Sequence, residues 1–334
     1  MPSAKRVTIR EVADAAGVSP AAVSYALRGV QVSKETQVRV REVADRLGYE
    51  PHSIARALAS GRTGMVGILG PSLDDLWQQR IAAEAGRALL ERDCFALILD
   101  AGGDAERQRR LAMQLRDQQV DGLIVSPVDA ADEFWVELAR SVPVVSIGDA
   151  MPGADTAGEV LFDNRLGVTC ALEHLQALGH RRVAVLRPPG ASTADRPAES
   201  HVRAEARRLG LDVVVSSSQP GLPEATVVAH DVLASGLRPT AAFCFSDSIA
   251  FGVYAAGRDL GLAIPRDISV VGYDDHPVSA LLSPALTTFA WNAKGIVRRA
   301  VDMVLAAADG VTSPRRVLVD PQFRERESTA PAGS

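Results

Sequence analysis

Acidic side chains follow two of the apolar runs in this 334-residue sequence and are its best candidates for chemistry. Asp274 and Asp275 follow ISVVGY, and Ser246 and Asp247 follow AAFCF. Paired carboxylates can divide acid and base roles, but adjacent residues at the end of a strand point apart. A single carboxylate there can accept paired hydrogen bonds from sugar hydroxyls or an amine. We therefore predict ligand contacts for Asp274, Asp247 and Ser246; capping of the following loop is the structural alternative.

Patterns that would indicate an enzyme are missing from the sequence. In EHLQALGH, five residues separate His174 from His180, which on a helix places the imidazoles on different faces and predicts no metal site. No Gly-x-Ser-x-Gly turn, Walker loop or Gly-x-Gly-x-x-Gly loop occurs. We therefore expect no catalytic residue, no metal and no cofactor.

The positions of the cysteines and the lengths of the apolar runs indicate the cellular compartment. Cys94, Cys170 and Cys244 lie far apart in apolar runs, which predicts buried free thiols in a reducing cytoplasm. No apolar run approaches the roughly 18 residues of a membrane span, and no apolar segment follows Lys5 and Arg6 as in a secretory signal. We expect a cytoplasmic protein without membrane contact.

The chemistry-bearing residues must be positioned by the elements that begin at Met65. From there, short β-branched runs alternate with longer amphipathic segments such as 77–92 and 165–178, which predicts parallel sheets with crossover helices. About ten runs are too many for one small sheet, so we predict an α/β core of two doubly wound parallel-sheet lobes. Ligands bind at the carboxyl ends of strands in such lobes. The runs are MVGIL, FALIL, GLIVS, VPVVSI, EVLFD, RVAVL, DVVV, AAFCF, ISVVGYD and LTTFAW.

The segment before the core predicts an all-α head of three short helices. The Thr8–Glu11 capping box starts the first helix and Gly17 ends it. Ser19 caps the second helix, with Pro20 at the first helical position. Ser33 starts the third helix and Gly48 ends it. Two helices joined by a tight turn that contains glycine form a helix-turn-helix, whose second helix enters the DNA major groove.

The residues at the start of the second helix are small, which lets the backbone approach a groove closely.

Residues 1–62 carry ten lysines and arginines against six aspartates and glutamates, whereas the remainder carries 26 against 35. A basic head on an acidic body favours a polyanion as partner. A three-helix bundle that binds protein is the alternative.

Four segments together resemble the LacI/GalR family of bacterial transcription regulators. They are VTIREVADAAGVSPAAVSYALRG in the head, FDNRLGVTCALEHLQALGHRRVAVL at 162–186, FCFSDSIAFGVYAAGRDLGLAIPRDISVVGYDD at 243–275 and SPALTTFAW at 283–291. The resemblance covers nearly the whole chain. It implies a core like that of periplasmic binding proteins, with an effector between the lobes. It also implies a homodimer that binds a near-palindromic operator in double-stranded DNA.

The resemblance assigns HSIARALAS to a hinge helix that folds on operator DNA. Leu58 matches the leucine that enters the central base step from the minor groove, with Ala55 beside it. A plain apolar helix residue is the alternative for Leu58. His52 stands where the family usually has asparagine. The predicted DNA-binding set is Thr8, Ser19, Pro20, Ala21, Ser24, Tyr25, His52, Ala55 and Leu58.

The predicted effector-binding set extends beyond the acidic strand ends. Trp77 lies in the first loop of the core, and Ser126 ends the run GLIVS. Arg196 is the nearest candidate for the arginine that the family places in its pocket. Trp291 could stack on an apolar ring face or pack between the lobes. The full set is Trp77, Ser126, Arg196, Ser246, Asp247, Asp274 and Trp291, and the default effector is a sugar or sugar derivative.

These observations predict a ligand-responsive repressor associated with the nucleoid, in which the effector controls folding of the hinge helix. The alternatives are a solute-binding or sensor module whose head contacts protein, and an effector-independent regulator with a degenerate pocket. The predicted limits are 1–50 for the head, 51–63 for the hinge helix and linker, 64–327 for the core and 328–334 for a disordered tail. Within the core, lobe 1 takes about 64–161 and 291–319, and lobe 2 takes about 162–290 and 320–327.

Overall fold

The computed structural model describes residues 7–28, 30–49, 61–189, 199–311 and 316–333. Two compact units divide the chain, Met1–Thr63 and Gly64–Ser334. The first contains the helical head and the second contains the α/β core. No helix in these described ranges is long and apolar enough to cross a membrane.

Three short helices form the head: α1 (Ile9–Ala16), α2 (Pro20–Arg28) and α3 (Lys34–Leu47). The predicted capping box is present, because the Thr8 N–H donates to the Glu11 carboxylate over 2.6 Å and the Thr8 hydroxyl accepts from the Glu11 N–H. Gly17 and Gly48 end α1 and α3 in the left-handed conformation that glycine adopts without strain. The helices share a core of Val12, Ala13, Ala16, Val23, Ala26, Val40, Val43 and Ala44. The predicted helical head is confirmed.

A six-stranded parallel sheet forms the first lobe of the core, in the order β11-β5-β4-β3-β1-β2. Its strands are β1 (Met65–Gly70), β2 (Phe95–Asp100), β3 (Gly122–Val125), β4 (Val144–Gly148), β5 (Gly158–Phe162) and β11 (Arg316–Val319). The helices of this lobe are α4 (Leu76–Leu90), α5 (Ala105–Asp117), α6 (Phe134–Ala139) and α11 (Ala293–Ala308).

A four-stranded parallel sheet forms the second lobe, in the order β7-β6-β8-β9. Its strands are β6 (Arg182–Arg187), β7 (Asp212–Ser217), β8 (Ala241–Cys244) and β9 (Ser269–Val271). Its helices are α7 (Asn164–Ala177), α8 (Glu199–Leu209), α9 (Leu222–Leu233) and α10 (Asp247–Asp259). The two parallel sheets confirm the predicted fold class.

A third, two-stranded sheet pairs β10 (Thr288–Ala290) with β12 (Gln322–Arg324) in antiparallel fashion. The run LTTFAW, which contains β10, therefore lies outside the parallel sheets. The sequence did not predict β11 or β12. The chain passes between the lobes after β5, after β10 and after β11, so three crossovers join them.

The C-terminal residues correct the prediction of a disordered tail. Ser328 is fully buried; its hydroxyl donates to the Val270 carbonyl over 2.6 Å and accepts from the Thr287 N–H over 2.8 Å. Beyond it, the Ala330 carbonyl lies 3.1 Å from Nε2 of His180, and the Ala332 N–H donates to Leu178. Small polar residues suggested disorder, but here they occupy the edge of β9 and satisfy its backbone.

We expect removal of residues 328–334 to lower the free energy of unfolding of the core by at least about 2 kcal/mol, because the Val270 and Thr287 N–H groups would lose their buried acceptors. Chemical denaturation of the truncated and full-length chains measures the difference. Truncation after Ala332, which keeps every bond described above, is the matched control. Equal stability of all three chains would show that the tail contributes nothing.

Candidate functional site

The start of α2 presents an exposed surface in the head. Ser19, Pro20 and Ala21 are exposed, whereas Val23 and Ala26 face the core. The Ser19 hydroxyl accepts from the Ala22 N–H over 3.1 Å and so caps the helix, as predicted. Ser24 and Tyr25 are half-buried, and Thr8 is exposed at the start of α1. The exposed residues of this surface, Ser19, Pro20 and Ala21, have small side chains, which permit close approach to a nucleic acid.

Four predicted site residues lie outside the described residues: His52, Ala55, Leu58 and Arg196. Their roles remain predictions.

A cleft between the two lobes encloses about 860 Å³ of non-protein space, part of it open to solvent. Four of the predicted effector residues line it: Trp77, Ser126, Asp274 and Trp291. Residues that the sequence analysis missed are also part of the lining: Asp75, Gln78, Asp149, Phe162, Asn164, Arg187, Phe245 and Tyr273. Several of them end or follow strands, so a consistent search of strand ends would have found Asp149, Asn164, Arg187 and Phe245.

Five aromatic rings form a continuous wall of the cleft. Successive ring centroids are 5.9 Å apart for Trp77–Phe162, 4.8 Å for Phe162–Trp291, 5.5 Å for Trp291–Tyr273 and 5.7 Å for Tyr273–Phe245. The Trp291 indole N–H donates to the Tyr273 carbonyl over 2.9 Å and fixes that ring. Phe162 ends β5 and Trp291 follows β10, so two of the rings lie at crossovers between the lobes. A ligand stacked on this wall would contact the crossovers directly.

Asp274 is one of three buried carboxylates that line the cleft, with Asp75 and Asp149. Its Oδ2 accepts from the Asp247 N–H over 3.0 Å, and its own N–H donates to Thr288. Burial raises the pKa of Asp274 well above its usual value, and the nearby charges of Asp75 and Asp247 raise the pKa further. The Asp247 N–H and the Arg80 guanidinium favour the ionised form but do not offset these effects.

Ser246 and Asp247 do not line the cleft, which corrects their predicted ligand contacts. The Ser246 hydroxyl accepts from the Ile249 N–H and caps α10. The Asp247 carboxylate is buried and accepts five hydrogen bonds, from the N–H groups of Tyr273, Asp274 and His276 and the hydroxyls of Ser279 and Thr288. Asp247 therefore holds the loop that carries Asp274 and does not itself face the cleft.

Asp75 joins the lobes at the cleft. It caps α4, where its Oδ1 accepts from the Trp77 N–H over 3.0 Å. The Ser248 hydroxyl, at the start of α10 in the other lobe, lies 3.3 Å from the same oxygen and accepts from the Leu76 N–H over 3.2 Å. Relative movement of the lobes would break this bridge.

We expect Asp274→Asn to raise the melting temperature by roughly 2–4 °C at pH 8 and to change it little at pH 4. The pKa of Asp274 is higher in the folded than in the unfolded chain, so stability is lost as the pH rises through the folded value. Asparagine cannot ionise and avoids that loss. Thermal melts of both proteins across this pH range measure the effect.

Asp275→Asn is the matched control. Asp275 pairs with Arg326, so its replacement removes an ion pair and should not raise the melting temperature at pH 8. A shift for Asp274→Asn that is the same at pH 4 and pH 8 would contradict the raised pKa.

Two family models match the sequence. Residues 8–52 match the model for bacterial regulatory proteins of the lacI family, and residues 172–329 match the model for a periplasmic binding protein-like domain. The first covers the head, and the second covers most of the second lobe and the C-terminal segment.

Curated relatives match over nearly the whole chain. The ribose operon repressor of Haemophilus influenzae is 29% identical over 335 residues, which span 96% of this chain and 98% of the relative. The HTH-type transcriptional repressor PurR of Vibrio atlanticus is 29% identical over 330 residues, with 96% and 98% covered.

Solved structures also match over nearly the whole chain. The Lac repressor dimer bound to operator and the anti-inducer ONPF superposes with a TM-score of 0.84 at 25% identity, covering 98% of this chain and all of that one. The transcriptional regulator CelR in complex with cellobiose superposes with a TM-score of 0.69 at 25% identity, covering 97% and 100%.

Proposed function

We propose that the chain is a ligand-responsive, DNA-binding repressor of the LacI family of bacterial regulatory proteins, whose model matches its head. The observation that carries the proposal is the combination, in one chain, of a helix-turn-helix head with an exposed recognition surface and a core with an interlobe cleft. The head supplies a DNA contact and the cleft supplies a ligand site. A repressor of this kind acts on chromosomal DNA in the cytoplasm.

The operator is double-stranded and near-palindromic, and α2 enters its major groove. Ser19, Pro20, Ala21, Ser24 and Tyr25 contact the DNA there, and Thr8 contacts it from the start of α1. The exposure of Ser19, Pro20 and Ala21 supports this assignment. The N-terminus of a helix also attracts phosphate. His52, Ala55 and Leu58 form the minor-groove contact in a hinge helix that folds on the operator.

The functional unit is a homodimer, which supplies one head to each half-site. Exposed apolar side chains on both lobes support a second copy as partner. On the first lobe, Leu90 at the end of α4 and Phe95 on the edge strand β2 are each 65% exposed; on the second lobe, Leu281 is 82% exposed. Exposed apolar side chains can contribute to an association surface.

We expect Leu281→Asp to weaken dimerisation and to raise the operator dissociation constant at least about 10-fold, because a lone head reads one half-site. Light scattering on a sizing column gives the mass, and fluorescence anisotropy gives the affinity. Ser200→Asp is the control, since Ser200 is an exposed polar residue on α8 of the same lobe. If the Leu281→Asp protein keeps the mass of the wild-type assembly and the wild-type affinity for the operator, Leu281 is not part of the interface.

The effector binds in the interlobe cleft, with a sugar or sugar derivative as the default class. Helix α4 supports coupling of the cleft to the dimer surface, because its first residues lie at the cleft and its last, Leu90, is one of the exposed apolar side chains. At about 1.5 Å per residue the helix spans roughly 22 Å as one rigid element. An effector that binds one lobe arrangement better than the other shifts the balance between them, and through it the folding of the hinge helices.

Selection from a pool of randomised duplexes tests this function. Full-length protein should enrich one sequence with two-fold symmetry, and the isolated core, residues 64–334, should enrich none. Enrichment of no sequence by the full chain, or equal enrichment by the core, would contradict it.

A further inference from the structure

We infer that the start of α2 recognises the operator through the methyl groups of thymines, by apolar contact with Pro20 and Ala21, and not through paired hydrogen bonds to guanine or adenine. This inference rests on the proposed function of the head as the DNA-binding unit. It goes beyond that proposal because it names the base that this surface recognises and the chemical group that is contacted.

The exposed side chains in the first turn of α2 are hydrocarbon. Pro20 and Ala21 are the first two residues of the helix, and both are exposed. Ser19 precedes them, and its hydroxyl accepts from the Ala22 N–H over 3.1 Å, so this oxygen caps the helix. Val23 is fully buried in the core of the head. The face that α2 offers to a groove therefore begins with a pyrrolidine ring and a methyl group.

Side chains that specify a purine by paired hydrogen bonds are missing from this part of the sequence. Arginine and lysine bind guanine in that way, and asparagine and glutamine bind adenine. Residues 11–27, which include the turn and all of α2 except its last residue, contain none of these four. Arg28 ends the helix, and at about 1.5 Å per residue it lies roughly 12 Å along the axis from Pro20. The start of α2 therefore has no side chain for this kind of recognition.

The remaining polar side chains of α2 discriminate poorly between bases. Ser24 and Tyr25 are half-buried and carry hydroxyls. A hydroxyl both donates and accepts, so it can bond to either kind of base edge or to a phosphate. The thymine methyl is the apolar group that the bases present in the major groove. Because Pro20 and Ala21 are apolar and exposed, thymine is the base that matches them.

The charges of the head are placed for affinity and not for base recognition by α2. Basic side chains bind phosphates, and such contacts position a protein on DNA without specifying the sequence. Among the described residues of the head, the exposed basic side chains are Arg10 on α1 and Lys34, Arg39, Arg41 and Arg46 on α3. Apolar recognition by α2 is therefore compatible with the salt-dependent affinity expected of the whole head.

Replacing thymine by deoxyuridine in the selected operator tests the inference, because the change removes the methyl group and keeps every base-pairing group. Each thymine of a half-site is replaced together with its symmetry mate, and fluorescence anisotropy with the full-length protein gives the dissociation constant. We expect at least one such pair of changes to weaken binding about 10-fold or more. The same change at thymines that flank the selected site is the control and should have no effect.

Methylated cytosine gives a second test at the sensitive position. A cytosine pair there removes the thymine methyl and changes the neighbouring hydrogen-bonding groups, so it should weaken binding. 5-Methyldeoxycytidine returns a methyl group to the same place in the groove. We expect it to bind at least about 3-fold more tightly than the unmethylated cytosine duplex.

Variants of the protein identify the side chain that contacts the methyl group. Ala21→Gly removes the alanine methyl, and Pro20→Ala removes most of the pyrrolidine ring. At least one of them should reduce the deoxyuridine effect to about 2-fold or less, because the contact is already lost. Ala15→Gly is the matched control, since Ala15 is equally small and exposed but lies on α1, and it should keep the full effect.

Two results would overturn the inference: a selected operator in which no thymine methyl affects binding, or a methyl effect that both α2 variants leave unchanged. In either case the selection of a duplex with two-fold symmetry leaves the proposed function standing, and only the mode of base recognition is wrong. If the selection enriches no duplex, the proposed function fails and this inference fails with it.

Discussion

Replacing Asp247 by alanine is expected to lower the free energy of unfolding of the core by about 3–5 kcal/mol and to abolish the response to effector. The carboxylate accepts from three backbone N–H groups and two hydroxyls, all around the loop that carries Asp274. Alanine leaves these donors without an acceptor in a site that solvent barely reaches. Each unsatisfied buried donor costs about 1–3 kcal/mol before relaxation.

Urea denaturation of the wild-type and Asp247→Ala proteins measures the loss. Asp247→Asn, which keeps the shape and one acceptor oxygen, should fall between them. Asp259→Ala is the control on the same helix, because Asp259 is exposed and pairs only loosely with Arg258 at 3.4 Å. A cost below about 1 kcal/mol for Asp247→Ala would show that the network does not hold the loop.

Ala21→Glu is expected to weaken operator binding at least about 100-fold, which corresponds to about 2.7 kcal/mol. Ala21 is exposed in the first turn of α2, where a small side chain permits close approach to the groove. Glutamate adds bulk and a negative charge facing the phosphates. An acidic residue near a helix N-terminus does not destabilise the helix, so the head should remain folded.

Anisotropy titrations with one operator duplex measure the change, and circular dichroism checks the fold. Ala15→Glu is the matched control, since Ala15 is equally small and exposed but lies on α1. Wild-type affinity for Ala21→Glu would place the recognition surface elsewhere and favour a head that binds protein.

Local signals in the sequence were enough to predict the head and most of the core. The Thr8–Glu11 box, the Ser19 cap and Gly17 act within a few residues, so their types and spacing define the helix ends. The ten β-branched runs each contain a strand, and nine of these strands lie in the two parallel sheets, where burial on both faces favours continuous apolar runs. Strand β11 contains the short apolar run VLV, which the sequence analysis did not use, whereas β12 has three residues and exists through its pairing with β10.

The site was harder to predict, because its contacts are distant in sequence. Asp274 was predicted from its place after a strand, and it lines the cleft. Asp247 has the same local pattern, yet its side chain turns toward donors 26 to 41 residues further along the chain. Spacing alone does not reveal that direction. Phe162, Phe245 and Tyr273 belong to runs that resemble core, and only the meeting of the two lobes places them on one wall.

The most direct test of the central claim is a fluorescence-anisotropy titration of the full-length protein against duplexes from its own upstream region, at about 50 mM and about 200 mM salt. We predict sub-micromolar binding to one near-palindromic duplex, above a weaker, sequence-independent background, with affinity falling steeply as salt rises because bound phosphates release counterions. Binding that is equally weak for every duplex and insensitive to salt would contradict a DNA-binding repressor.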